Sequence, residues 1–333
     1  MVEVIAGHQA DSRGRRIANT IFQRIVANAI VLLIISAVTF ALMNFKAPED
    51  LARSVLGREV SSEQIAAFVR SNNLDANFVE RYLSWISGVF AGDLGTSLIT
   101  RRAVSAVVSD AIGRSLTVAM LGAFLGVCSG VLAGVFLGVR VGSKTDIRMV
   151  TALLVIASMP EFLIGIALYM LFVTWLGWFP TQAAFAFSFG SASERAMNYI
   201  LPAATIALLL LPHVARVTRV TMAEAIDAPY VVAAKLRGLS QVQTKWNYAF
   251  RSAAASLISV IGVNLVYAIS GVVVVEYLFG FPGVGSLLVE AIGAGDSVTV
   301  QAVIMIFAIF VIIINVSVDI IIVILNPRLR YGT

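Results

Sequence analysis

Six apolar segments, each long enough to cross a bilayer, dominate this chain of 333 residues. They fall at about 22–45, 112–139, 148–176, 199–222, 252–279 and 300–325. A hydrocarbon core of ~30 Å takes about 20 helical residues, and within it every backbone N–H and C=O must find a partner inside the protein. The expected fold class is therefore all-α and polytopic, with six transmembrane helices. Composition agrees: 59% of residues are hydrophobic and 13% charged, against about 25% charged in soluble domains. The run from Ile25 to Phe45 is longer than the core of a cleavable signal, and no small-residue site closes it. It reads as a retained first span.

Charge gives an orientation. Arg13, Arg15, Arg16 and Arg24 precede the first span, and Arg140, Lys144 and Arg148 follow the second. Arg216, Arg219, Lys235, Arg237, Lys245 and Arg251 follow or end the fourth, and Arg328 and Arg330 close the chain. The connection 280–299 carries Glu290 and Asp296 and no Lys or Arg. By the positive-inside rule both termini and the 223–251 segment are cytoplasmic. The net charge of +5 is thus a matter of membrane side, and a nucleic-acid partner is excluded.

The expected organisation is a cytoplasmic tail (1–21), span 1 (22–45), a helical extracytoplasmic insert (46–111), a core of five spans (112–325) and a cytoplasmic tail (326–333). Within the insert, "SSEQIAAFV" reads as a capping box, Ser61 with Gln64. "NFVERYLSWISGVFAG" reads as an amphipathic helix stopped at Gly92.

Chemistry-bearing patterns are sparse. "GVRVGSKT" (138–145) suggests a phosphate-binding loop, but Ser143 separates the glycine from the lysine and no strand precedes it. The only cysteine, Cys128, lies in an apolar helix, and His8 and His213 are far apart, so no metal site is expected. Gly122, Gly126, Gly130, Gly134 and Gly138 recur every four residues. Such a stripe admits a close helix, by packing within the chain or at a subunit interface.

Carboxylates inside spans must face protein or water. Pro160 and Glu161, Asn264, Glu276, and Pro282 with Gly283 are candidates for a pathway or gate. Asn315 and Asp319, one turn apart, are candidates for structural hydrogen bonding. No Ser/His/Asp arrangement is suggested, and no catalytic residue is assigned.

One segment is unlike the rest: "APYVVAAKLRGLSQVQTKWNYAFRSAA", 228–254. Pro229 suits a first helical turn with Asp227 or Ala228 before it, and Gly238 is a natural left-handed stop. A second helix starts near Ser240. Tyr230, Ala233, Ala234 and Leu236 offer apolar contact, while Lys235 and Arg237 offer a charged rim. Two readings are open: a knob gripped by another protein, or an interfacial helix on anionic lipid.

The segment from "EAID" through "FRSAA" resembles the cytoplasmic coupling loop of permeases in binding-protein-dependent ABC importers. More narrowly, the chain is similar to the B-type permease of the dipeptide/oligopeptide/nickel group over roughly residues 20–331. "GDLGTS" (92–97), "SMPEFLIG" (158–165), "ILPA" (200–203), "VVVVEYLFGFPGVGSLLVEAI" (272–292), "NVSVDI" (315–320) and "NPRLRY" (326–331) stand in the family's order. Val232 stands where the family usually has Arg or Glu.

The resemblance implies a type I importer permease in a bacterial inner membrane, with no cofactor of its own. It implies a homologous second permease subunit, two cytoplasmic ATPase subunits that take ATP and Mg²⁺, and an extracytoplasmic substrate-binding protein. The coupling residues would be Pro229, Tyr230, Ala233, Ala234, Lys235, Leu236, Arg237, Gly238 and Leu239. The group's cargoes include peptides and nickel. The insert has no His or Cys, which favours peptides or similar small solutes over nickel. A self-contained ion-coupled carrier is the alternative.

Overall fold

The computed structural model describes residues 2–45, 47–57, 60–181 and 183–325. Side chains are described from Gln23 onwards, apart from Ser54, Ala255, Ser256, Ser259, Asp319 and those after Ile321. The tail with "NPRLRY" and the Asp319 carboxylate thus lie outside the described residues.

Among the described residues the chain is helical. In order, α1 is Val2–Met43, α2 Pro48–Leu56, α3 Ser62–Ser71, α4 Phe78–Phe90, α5 Val104–Gly138, α6 Lys144–Ala157 and α7 Glu161–Tyr169. There follow α8 Ala183–Phe189, α9 Ala192–Met197, α10 Ile200–Ile226, α11 Pro229–Leu236, α12 Gln241–Gln243, α13 Arg251–Leu278, α14 Val284–Ala294 and α15 Ser297–Leu325. Two π-helical stretches, Met170–Trp175 and Thr244–Phe250, extend α7 and lead into α13.

Five segments are long and apolar enough to span alone: Gln23–Met43, Val104–Gly138, Ala192–Ile226, Val260–Leu278 and Ser297–Val318. The remaining expected span, the third, 148–176, is not one straight helix. It is the pair Lys144–Ala157 and Glu161–Trp175, bent by 99°. The cause is local. Pro160 has no N–H to donate, and its ring disfavours helical backbone at Met159. Ser158 ends α6, and Pro160 at φ −58°, ψ 145° caps the new helix that Glu161 opens. Two helices run beyond the apolar segments: α5 starts at Val104, and α10 continues to Ile226, well past His213.

The chain divides into two compact units, residues 1–113 with 283–316, and 114–282 with 317–333. In the first unit, the Ser61–Gln64 capping box forms as expected. Helices α2 and α3 enclose a small core of Leu51, Ala52, Ile65, Phe68, Leu74 and Leu98. Phe40 of α1 meets the rings of Phe78, Tyr82 and Trp85, which pins α4. A second core joins Val104, Val108 and Ala111 of α5 to Val284 of α14 and Ala302 and Val303 of α15.

In the second unit the glycine stripe of α5 lies against α10. A Cβ added at Gly122, Gly126, Gly130, Gly134 or Gly138 would fall 2.4–2.8 Å from Ile206, Ala207, Val214, Thr218 or Met222. The stripe is packing within the chain. α10 also packs extensively on α13, α7 and α6.

Candidate coupling surface and intramembrane polar residues

The α10–α13 connection is built by strong local signals. α10 ends with Asp227 as its cap, and Ala228 turns extended at φ −66°, ψ 142°. Pro229 then opens α11 at the first position, where a missing N–H costs no hydrogen bond. Gly238 takes φ +82°, a conformation that strains any side chain with a Cβ. Its N–H bonds the Lys235 carbonyl at 3.0 Å, which satisfies a last-turn acceptor. Ser240 and Gln243 cap the next helix reciprocally, with both backbone-to-side-chain bonds at 3.2 Å.

α11 has two faces. Val231 is buried with Met222 and Ala225 of α10, Ala249 of the π-helical stretch and Ala253 of α13, and Ala234 is buried as well. On the other side Tyr230, Val232, Lys235, Leu236 and Arg237 are exposed, Leu236 at 84%. Pro229 and Gly238 are exposed, and Ala233 and Leu239 half-buried. Ala234, placed among the contact residues by sequence, is fully buried within this chain. The short helix is thus seated on the end of α10 and on the π-helical stretch that leads into α13, while presenting an apolar and basic face outwards.

The candidate pathway residues do not form one cluster. Pro160 and Glu161 lie at the α6–α7 break, with Glu161 against α13: a Cβ at Gly271 would sit 3.1 Å from its Oε2. Asn264 is buried and donates to Val260 O of its own helix at 2.7 Å. Glu276 is fully buried on the same helix, about 18 Å from Asn264 by helical rise. Pro282 accepts from Arg114 Nε at 2.6 Å, and Gly283 caps α14. Asn315 is exposed on α15. Among the described residues no group of three or more His, Cys, Asp and Glu could hold a metal ion.

Two family models cover most of the chain. Residues 130–331 match the binding-protein-dependent transport system inner membrane component, and residues 17–119 match the N-terminal part of such membrane components. The chain belongs to this family. A putative peptide transport system permease protein of Brucella abortus (strain 2308) is 32% identical over 307 residues, which is 92% of this chain and 97% of that relative. The glutathione transport system permease protein GsiC of Salmonella typhimurium is 28% identical over 313 residues, 94% of this chain and 99% of that one. The protein is a permease subunit of an ABC importer, with the type I permease fold, and the ion-coupled carrier is set aside.

Two buried carboxylates in this permease find partners far away in the chain. Asp146, 2% exposed, receives Arg219 Nε at 2.6 Å and Nη2 at 2.7 Å, and Gly142 N at 2.9 Å. This forked bridge ties the start of α6 to α10. Its local signal was the Ser-x-x-Asp pattern at 143–146: Ser143 caps α6 by accepting from Asp146 N at 3.1 Å. The same residues that hint at a phosphate loop are a helix start. Asp296 is the second. It is buried, caps α15 through Thr299, and accepts from Ser97 Oγ and Leu98 N. The end of "GDLGTS" is thereby fastened to the last span.

Proposed function

We propose that this permease admits peptides or similar small solutes, and that partner ATPases drive it through α11. The observation that carries the reading is the two-faced geometry of α11. A push on its outer face is delivered through Val231, which shares one core with Met222 and Ala225 of α10, Ala249 of the π-helical stretch and Ala253 at the start of α13. In this reading a homologous second permease completes the path. Two cytoplasmic ATPase subunits bind ATP and Mg²⁺ and seat α11 in a groove. An extracytoplasmic binding protein docks on the α2–α4 insert and on α14. Both termini are cytoplasmic, on the side marked by the basic residues. The cargo reading is supported by relatives named for peptide and glutathione transport, glutathione being itself a short peptide.

The test is co-purification of the importer from its native membrane in mild detergent, with Leu236→Asp beside the wild type. Burying one Leu stabilises a contact by ~1.5–3 kcal/mol, so loss of this contact weakens ATPase binding about ten- to a hundredfold. The expected result is a P-loop ATPase in the wild-type sample and its loss in the variant, with the second permease retained. Full ATPase retention by Leu236→Asp would overturn the coupling assignment. Dipeptide uptake into liposomes bearing the whole importer and its binding protein tests the cargo. Indifference to dipeptides, alongside intact ATP hydrolysis, would overturn that part alone.

A further inference from the structure

We infer that the groove between α6 and α10 is a binding site for one anionic phospholipid. It is a cavity of about 460 Å³, floored by Leu137 of α5. Its lining is graded along its length. At one end stand Leu209 and Pro212 of α10 with Ile156 and Ala157 of α6, all apolar. At the other stand Arg216 and Arg219, with His213 between the two ends. The Asp146–Arg219 bridge sets this polarity, because it joins the beginning of α6 to the later part of α10.

The charge balance decides the occupant. The residues lining the cavity include no carboxylate. The nearby acid on α6, Asp146, is buried and committed to Arg219. Arg216 is exposed and makes no ion pair among the described residues. Lys144 and Arg148, both exposed, stand at the same end of α6. A peptide would bring an ammonium group, and this lining holds no carboxylate to pair with it. An anion carrying a long aliphatic chain satisfies both ends. The outer surface of α6 is aliphatic and exposed at Ile147, Leu154 and Val155, so the cavity opens beside a face suited to acyl chains. Basic pockets between transmembrane helices at the headgroup level take anionic lipids by the same balance. The phosphate is then held at Arg216, and an acyl chain runs towards Leu209 and Ala157. The inference is independent of the cargo and of the coupling helix.

The experiment is native mass spectrometry of the chain in its intact assembly, equilibrated with equimolar phosphatidylglycerol and phosphatidylcholine of matched acyl chains. The expected result is selective retention of phosphatidylglycerol. Arg216→Gln should lower that retention about fivefold, the worth of one basic contact to an anionic headgroup. Arg216→Lys should keep most of it. Ala157→Trp, which fills the apolar end without touching the charge, should reduce it as well. Equal retention of the two lipids, or unchanged phosphatidylglycerol in both Arg216→Gln and Ala157→Trp, would overturn the site. Displacement of the lipid by an added dipeptide would also overturn it and assign the cavity to cargo. The same spectra show whether each variant is assembled, so loss of lipid is read only from intact complexes.

Discussion

Gly134→Ala and Gly113→Ala are the same substitution on the same helix, and the structure gives them opposite signs. At Gly134 the new Cβ would lie 2.4 Å from Thr218 Cβ and 2.6 Å from the Ala215 carbonyl oxygen. Carbon atoms rest at about 3.5–4.0 Å, so α5 and α10 must part by roughly 1 Å. Neither neighbour can swing away, since one is a β-branched carbon and the other is backbone. Overpacking of this kind costs ~1–3 kcal/mol, and the rungs at Gly130 and Gly138 lose contact too. Replacing a helical glycine returns ~1 kcal/mol. The net cost at Gly134 is therefore about 2 kcal/mol, from the upper part of the overpacking range. At Gly113 a Cβ would meet no atom within 4 Å, so the propensity gain of up to ~1 kcal/mol stands alone. Heating the detergent-solubilised importer and following the monodisperse fraction measures both. The midpoint should fall by roughly 5 °C for Gly134→Ala and stay level or rise for Gly113→Ala. Equal shifts in the two variants would refute the close-packed stripe.

Three further outcomes are expected. Arg219→Ala leaves a carboxylate that is 2% exposed with its Gly142 contact but no counter-charge, and should cost about 2–3 kcal/mol. Asp146→Asn keeps the Gly142 contact and leaves an arginine that reaches water, at about 1–2 kcal/mol. The same melting assay should rank them in that order, and a reversed order would contradict the burial asymmetry. Gly238→Val forces a β-branched residue to φ +82°, a strain of at least ~1–2 kcal/mol. It should leave ATP hydrolysis while lowering coupled uptake, and unchanged uptake would count against α11 as the lever. On a Cys128→Ser background, a thiol at Glu290 should react with an impermeant reagent from outside, and one at Gln241 only after permeabilisation. The reverse pattern would invert the topology.

What could be read from sequence is what is set by short-range physics. The capping pair Ser61–Gln64, the Pro229 start and the Gly238 stop all depend on residues within four positions, and all appear as expected. The third span shows the limit of counting apolar residues. Hydropathy sees a continuous run through 148–176, whereas the backbone must break where Pro160 removes a donor. The same backbone rule was visible in "SMPE", but hydropathy does not weigh it.

The sequence alone determined that this chain lives in a bilayer, that it is helical, and that its 223–251 segment holds a Pro-started, Gly-cornered pair of helices. Apolar length, backbone hydrogen-bond demand and residue-specific φ preferences suffice for each. Only the tertiary structure decided which faces those helices use. It turned Val231 and Ala234 inwards and Leu236 outwards on one short helix, because the end of α10 and the π-helical stretch before α13 offer an apolar seat on one side only. It paired Asp146 with Arg219 across 73 positions of chain and Ser97 with Asp296 across 199. Such pairings depend on where two helices cross, and crossing is settled by long-range packing such as the glycine stripe permits, not by any local run of residues.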